Sequence, residues 1–257
     1  MWLKWIERAH GPAERRLQRI TTKYLNEARK RYKRRINKYV QSEKSAGDYI
    51  IKSVLSWSEL LDVGAEVDII RKQIGRDWLA VWAITGTEQL DNVYKRAKKE
   101  KPLDLVFGDR TIARDAIDLS AFEIAGTTAR SVQGIVEQGL LAGASTRQIA
   151  IGLDNARDFG VTRSRAIART EATKAVNIAT RQAYQTASNE GIRVKQQWLS
   201  SRDDKVRPTH QELEGQTVGI DEMFIVPSTM QEGAGPAQFK SAAESVNCRC
   251  TIIPVIV

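Results

Sequence analysis

The sequence has only two cysteines in 257 residues, Cys248 and Cys250. Standing two residues apart, they give no disulfide framework. None is needed, since a chain this long buries roughly 70–75% of its unfolded surface on its own. Long apolar runs are also missing: nothing approaches the ~18–20 residues of a membrane helix. The N-terminus, MWLKWIERAH, has neither the apolar core nor the small-residue cleavage site of a secretory signal. These absences imply a soluble protein made in a reducing cytoplasm. There is no internal repeat, and the Gly-rich stretch EGAGP lacks the Lys-Ser/Thr that would make it a phosphate-binding loop.

Acidic residues are scarce in one place. Residues 1–44 hold 14 Lys and Arg against 4 Asp and Glu, a net of +10. The other 213 residues hold 26 basic and 27 acidic side chains, a net of −1. All the excess positive charge of a +9 chain therefore lies in its first 44 residues, as a basic arm on a nearly neutral body.

The arm reads as helix broken near Gly11-Pro12, then running from Ala13 to Lys44. Leu17, Ile20, Tyr24, Ala28, Tyr32, Ile36 and Val40 recur every three or four residues. The candidate nucleic-acid or acidic-partner cations are Arg15, Arg16, Arg19, Lys23, Arg29, Lys30, Arg31, Lys33, Arg34, Arg35 and Lys38. They fit three readings: contacts to DNA phosphates, contacts to an acidic protein surface, or a solvated face. A membrane surface is a lesser fourth. Trp2 and Trp5 make a short apolar face, either internal or a docking anchor, since Trp is favoured at interface hot spots.

Residues 45–101 read as two or three further helices, loosened by Gly64, Gly75 and Gly86 and closed by the basic cluster Lys95 to Lys101. Residues 103–109 are a connector. Helix returns from Arg110 to Ala142, with a break expected at Gly126-Thr127-Thr128. Ala144-Ser145-Thr146 reads as a cap before a short helix, Arg147 to Asn155. Gly160 to Thr162 then opens a long helix ending near Gly191. On it, Ala168, Ala172, Ala175, Ala179, Ala183 and Ala187 form one stripe of small residues.

After Gly191 the texture changes. Val194 to Ser200 reads as a strand centred on Trp198, and Thr209-x-x-Glu212 has capping-box spacing. Met223 to Val226 is a second strand. Thr251 to Val257 is a third, whose Pro254 places it at an edge or bend. Helices first and a small mixed module after them make an α+β protein. The implied regions are a basic arm, 1–44, a helical part, 45–139, and a C-terminal module, 140–257.

Four pieces of the C-terminal region occur in a telling order. They are GASTRQIAIGL; RAIARTEATKAVNIA with Arg169, Thr170, Glu171 and Asn177; QQWLSSRDDKVRPTHQELEGQTV with Trp198, Asp203 or Asp204, Arg207, His210 and Gly215; and NCRCTIIPV with Cys248 and Cys250. In this order they resemble the phage head morphogenesis family, the Mu F-like or minor head proteins. The resemblance covers a little under half of the chain. It implies a structural component of a tailed phage. Such a component is expected inside the head near the portal vertex, with the portal protein, packaged double-stranded DNA and other capsid or scaffolding proteins as partners.

The residue types do not complete a catalytic set. His210 with Asp203 or Asp204 lacks a nucleophile or a second carboxylate cluster, and Asp203-Asp204 reads as a turn. Arg169 and Glu171 lack the further elements of an ADP-ribosyltransferase site. Glu171 is expected to pair with Lys174, and Arg169 to tie its helix to the mixed module. His210, Cys248 and Cys250 are three zinc-type donors where structural zinc takes four, leaving Asp203 or Glu212 to complete the set. The expectation is therefore no enzyme, no cofactor and no small-molecule substrate, with the two thiols buried and pinning the last strand near His210.

Overall fold

A computed structural model describes residues 2–45, 48–54 and 56–257, with side chains for 10–40 and 56–257. Its elements run α1 (Trp2–Tyr39), β1 (Val40–Ser45), β2 (Asp48–Val54), α2 (Trp57–Leu61), α3 (Val63–Ala97), α4 (Thr111–Leu141), α5 (Thr146–Asn155), a 3₁₀ turn (Arg157–Phe159), α6 (Val161–Asn189), β3 (Val194–Leu199), α7 (Pro208–Glu212), β4 (Thr217–Gly219), β5 (Phe224–Ile225), β6 (Glu232–Gly233), α8 (Ala242–Ser245) and β7 (Thr251–Ile256). This is the expected α+β class, helical first and mixed at the end.

The helices are longer and fewer than local signals suggest. Helix α1 passes through Pro12 without a break. The proline forfeits a hydrogen bond at a cost of about 3 kcal/mol, and the burial of Ala13, Leu17, Tyr24, Leu25, Ala28, Tyr32 and Ile36 offsets it. The helix ends at Tyr39, not near Lys44. From Val40 the chain turns into an antiparallel hairpin, with Val40 opposite Val54 and Ser45 opposite Asp48. Helix was expected there. Helix α3 is likewise one element across Gly64, Gly75 and Gly86. Helix α4 runs unbroken through Gly126-Thr127-Thr128. There the Thr127 and Thr128 hydroxyls donate back to the carbonyls of Glu123 and Ile124, so they need no exit from the helix. The Arg163 guanidinium also donates to both hydroxyls.

Other local signals act as read. Ser145 caps α5 with a reciprocal bond from Gln148. The alanine stripe of α6 is buried throughout. Thr209-x-x-Glu212, by contrast, forms no capping box. Arg207 stands at the N-cap of α7 without a side-chain bond, and Pro208 takes the first helical position. Gly215 follows at φ +78°, the left-handed conformation that lets the chain leave α7 for β4.

The chain forms two compact units, each drawn from non-consecutive segments. One comprises residues 19–75 and 116–165. Its interior holds a buried carboxylate, Glu66, which accepts bonds from Arg31, Arg35 and Tyr24. The other comprises residues 1–18, 76–115 and 166–257, and contains the C-terminal module. Here β3 is the central strand of the antiparallel sheet β4-β3-β7. Pro254, opposite Gln196, lies on the edge strand β7, where its missing N–H does no harm. The module's core gathers Trp198, Leu213, Phe224, Val226, Phe239, Cys248, Cys250 and Ile252 with Tyr184 and Ala187 of α6.

Candidate functional site

Trp198 sits at the centre of the module with none of its surface exposed. Its ring meets those of His210, Phe224 and Phe239 edge-on at centroid distances of 5.2, 5.3 and 6.1 Å. The period-2 alternation of β3 turns Trp198 inward along with Val194 and Gln196. Helix α7 then delivers His210 beside it, also buried.

One edge of the His210 ring faces the two thiols. Its Nδ1 lies 3.6 Å from Cys248 Sγ and 3.5 Å from Cys250 Sγ. The other edge faces a carboxylate: Nε2 is 3.1 Å from Glu244 Oε2, off the line of an ideal hydrogen bond. Glu244 is 6% exposed and also accepts from the Thr209 hydroxyl at 2.8 Å. Four titratable side chains thus meet in a buried space. Burial alone would raise both thiols. The proton held by Cys250, together with His210, overrides burial at Cys248 and brings it well down. Cys250 is pushed up, first by the adjacent Cys248 sulfur and then by burial. The two thiols therefore titrate as one coupled pair and not as independent groups.

The remaining motif residues build the walls of this space. Asn177 on α6 donates to the Cys250 carbonyl at 3.3 Å, and its Oδ1 accepts the Ile252 N–H at 3.0 Å. Thr173 donates to the Cys248 carbonyl at 2.8 Å, and Thr170 accepts the Asn247 N–H at 3.0 Å. Asp203 closes its own turn on the Lys205 N–H and takes both Arg249 nitrogens, which hold its carboxyl below the usual range. Arg207 donates to the carbonyls of Glu244 and Val246. Glu212 accepts the Ser228 N–H. Asp203 and Glu212 are thereby engaged elsewhere, and neither joins the His210–Cys248–Cys250 cluster as a fourth donor.

Two expectations divide here. Glu171 pairs with Lys174 at 3.5 Å as read from the sequence, and also accepts from the Trp78 indole. Arg169 does not reach the mixed module. It pairs with Glu14 of α1 at 3.0 Å. Glu244 was not foreseen, because it stands 34 positions from His210 and its own neighbours give no sign of the contact. Thr170 and Thr173 carried a readable signal: with Asn177 they make a polar line on a helix whose other stripe is alanine.

The basic candidates separate by what they touch. Arg31 and Arg35 are spent on Glu66. Arg29 and Lys33 pair with Asp154, and Arg16 with Asp77. Lys38 bonds the Tyr39 hydroxyl. Arg15, Arg19, Lys30 and Arg34 are exposed and form no ion pair among the described residues, while Lys23 is exposed with only a loose 4.0 Å contact to Glu27. The side chains of Trp2 and Trp5 lie outside the described residues.

Residues 130–253 match the family described as Phage Mu protein F like protein. The minor head protein GP7 of Bacillus phage SPP1 is 23% identical over 282 aligned positions, covering 98% of this chain and 85% of GP7. The NAD(+)–arginine ADP-ribosyltransferase EFV of Enterococcus faecalis is 37% identical over 128 residues. That match takes in 50% of this chain and 26% of EFV, so the chain spans about a quarter of that relative. The protein YqbB of Bacillus subtilis is 30% identical over 128 residues, 49% of this chain and 41% of YqbB. No solved structure matches. The ordered motif that builds the walls around His210, Cys248 and Cys250 lies almost wholly within residues 130–253, the range that matches the Phage Mu protein F like family.

Proposed function

We propose that this chain is a minor head protein of a tailed phage, docking at the portal inside the head and assisting head assembly, DNA packaging or DNA delivery. The observation that carries the reading is the similarity to the SPP1 minor head protein, which extends over nearly the whole chain rather than the C-terminal module alone. The module's chemistry is in keeping with a docking unit. Asn177, Asp203, Arg207 and Thr173 direct their hydrogen bonds inward, to the backbone or to Arg249. Such a network favours one rigid shape over a reactive cleft, and we read the chain as a binding component rather than an enzyme. The similarity to EFV covers about a quarter of that protein, and we do not carry its activity over to this chain. Co-expression with the portal and major capsid proteins, followed by procapsid purification, tests the reading. The chain is expected in particles that contain portal and missing from portal-free ones. Its absence from portal-containing particles would sink the docking role.

A second reading rests on α1. Arg19, Lys23, Lys30 and Arg34 are all exposed. At about 100° per residue they fall within about 60° of the helix circumference. A face of like charge suits the phosphates of packaged duplex DNA, contacted without sequence preference. Duplex affinity measured against salt tests it, and a flat salt response would count against it.

A further inference from the structure

The geometry points to a metal site: we propose that His210, Cys248 and Cys250 bind one zinc ion through Nδ1 and the two sulfurs. This stands apart from the minor head reading and does not depend on it. The three donor atoms lie within 4.8 Å of one another and are the sole such group among the described residues. The two nitrogen–sulfur separations are 3.6 and 3.5 Å. A zinc tetrahedron with legs of about 2.3 Å to sulfur and about 2.0–2.1 Å to nitrogen has nitrogen–sulfur edges of about 3.5–3.6 Å. Both nitrogen–sulfur separations therefore already match those of a coordinated set.

Hydrogen bonding alone serves this cluster poorly. Nδ1 has one lone pair and two sulfurs competing for it, in a space where all three residues are at most 2% exposed. A single cation satisfies all three donors at once. The surroundings are those of a metal-bound histidine. Glu244 Oε2 faces the far nitrogen, Nε2, at 3.1 Å. A carboxylate there favours the tautomer that carries hydrogen on Nε2 and leaves the Nδ1 lone pair for the metal. Glu244 is itself fixed by Thr209. The two cysteine backbones are held by Thr173 and Asn177, so the thiols are presented by rigid supports. Soft sulfur with imidazole selects zinc over calcium or magnesium. Three protein donors leave one coordination position for solvent. Asp203 and Glu212, the carboxylates with the right reach in sequence, are committed to Arg249 and Ser228.

The test uses the full chain, expressed in defined medium and purified without chelator. Elemental analysis is expected to find about one zinc per chain. Cys248→Ser and His210→Ala should each lower it by about tenfold or more. Lys195→Ser, at an exposed position on β3, should leave it unchanged. The cysteine and histidine variants can fail to fold, so a second measurement is made on the wild type: exchange with cobalt(II). Thiolate-to-cobalt charge-transfer bands and intense visible bands of a tetrahedral ion are expected. A folded wild-type chain that is free of zinc and shows no cobalt bands would overturn the proposal. The cluster would then be a pair of buried thiols packed beside His210.

Discussion

Asn177 on α6 takes the place of a neighbouring strand for Ile252 on β7. Its Oδ1 accepts the Ile252 N–H at 3.0 Å, and its Nδ2 donates to the Cys250 carbonyl at 3.3 Å, two residues back. One side-chain amide thus satisfies two backbone groups on the side of β7 away from β3. Asn177 is fully buried, so water cannot replace it. Asn177→Leu should lower stability by about 2–4 kcal/mol, two orphaned backbone groups at about 1–3 kcal/mol each less the added apolar contact. Urea denaturation checks this. A loss under about 0.5 kcal/mol would mean the last strand needs no support from α6.

The pairing of Arg31 and Arg35 with Glu66 changes what the basic segment is. These cations were candidates for an outside partner. Instead they neutralise a carboxylate with no exposed surface, alongside the Tyr24 hydroxyl. Burial, and next the Glu66 charge, push the Tyr24 phenol up. Glu66→Ala leaves two guanidinium groups facing a void and should cost about 3–5 kcal/mol. Thermal denaturation measures it. An unchanged midpoint would show that the pair is a bystander.

How far each of these contacts was legible depends on its sequence separation. The alanine stripe of α6 was readable, because six small residues at helical spacing have one simple use. The strand at Trp198 and the Ser145 cap were readable for the same local reason. The hairpin after Tyr39 was not, since Ile36 and Val40 continue the helical period of α1. What ends the helix is the pairing of Val40 with Val54, fourteen residues on. Glu244 was invisible for a related reason: only the fold brings it to His210. The three donors His210, Cys248 and Cys250 could be picked out by type. Their spacing in the chain gave no sign that Nδ1 would stand equidistant from both sulfurs.

His10 gives the protein a pH dependence on the acid side. It is buried, its Nε2 has no partner among the described residues, and burial lowers its pKa from 6.5 to about 4. Between these values the unfolded chain holds a proton that the folded chain does not. Stability therefore rises with pH through this window and is lost as pH falls from 6.5 toward 4. About 2 kcal/mol should disappear between about pH 7.5 and pH 5, and His10→Gln should remove that slope. Asp203, held below 3.8 by Arg249, adds acid sensitivity of the same sign only at lower pH. Urea midpoints at the two pH values decide; equal slopes for wild type and variant would assign the effect elsewhere.

Gly86 reverses a general rule. In an exposed helix, Gly→Ala gains about 1 kcal/mol. On α3 a Cβ at position 86 would come within 1.9–2.3 Å of three Phe107 ring atoms, and that ring packs on Trp82 at 4.6 Å. Gly86→Ala should therefore destabilise by about 1–3 kcal/mol. In a Phe107→Ala background the same change should be neutral or favourable, a coupling that a double-mutant cycle reads directly. Additive effects would place the Phe107 ring elsewhere in solution.

Lys30 and Arg34 separate the DNA reading from a purely structural one. Both are exposed, one turn apart on α1, and neither makes an ion pair among the described residues. Their neighbours Arg31 and Arg35 hold Glu66 and are 17% exposed at the side chain. Replacing Lys30 and Arg34 with Ser should leave the denaturation midpoint within about 0.5 kcal/mol of wild type. If this face meets phosphates, duplex affinity should fall equally for all sequences. The slope of log affinity against log salt should then shrink by about 1.8, roughly 0.9 for each contact removed. Arg31→Ser should do the reverse, lowering stability while leaving the salt slope nearly intact. A double variant with full affinity and an unchanged slope would confine the excess positive charge to a solvated surface, and the partner of α1 would have to be sought among the head proteins.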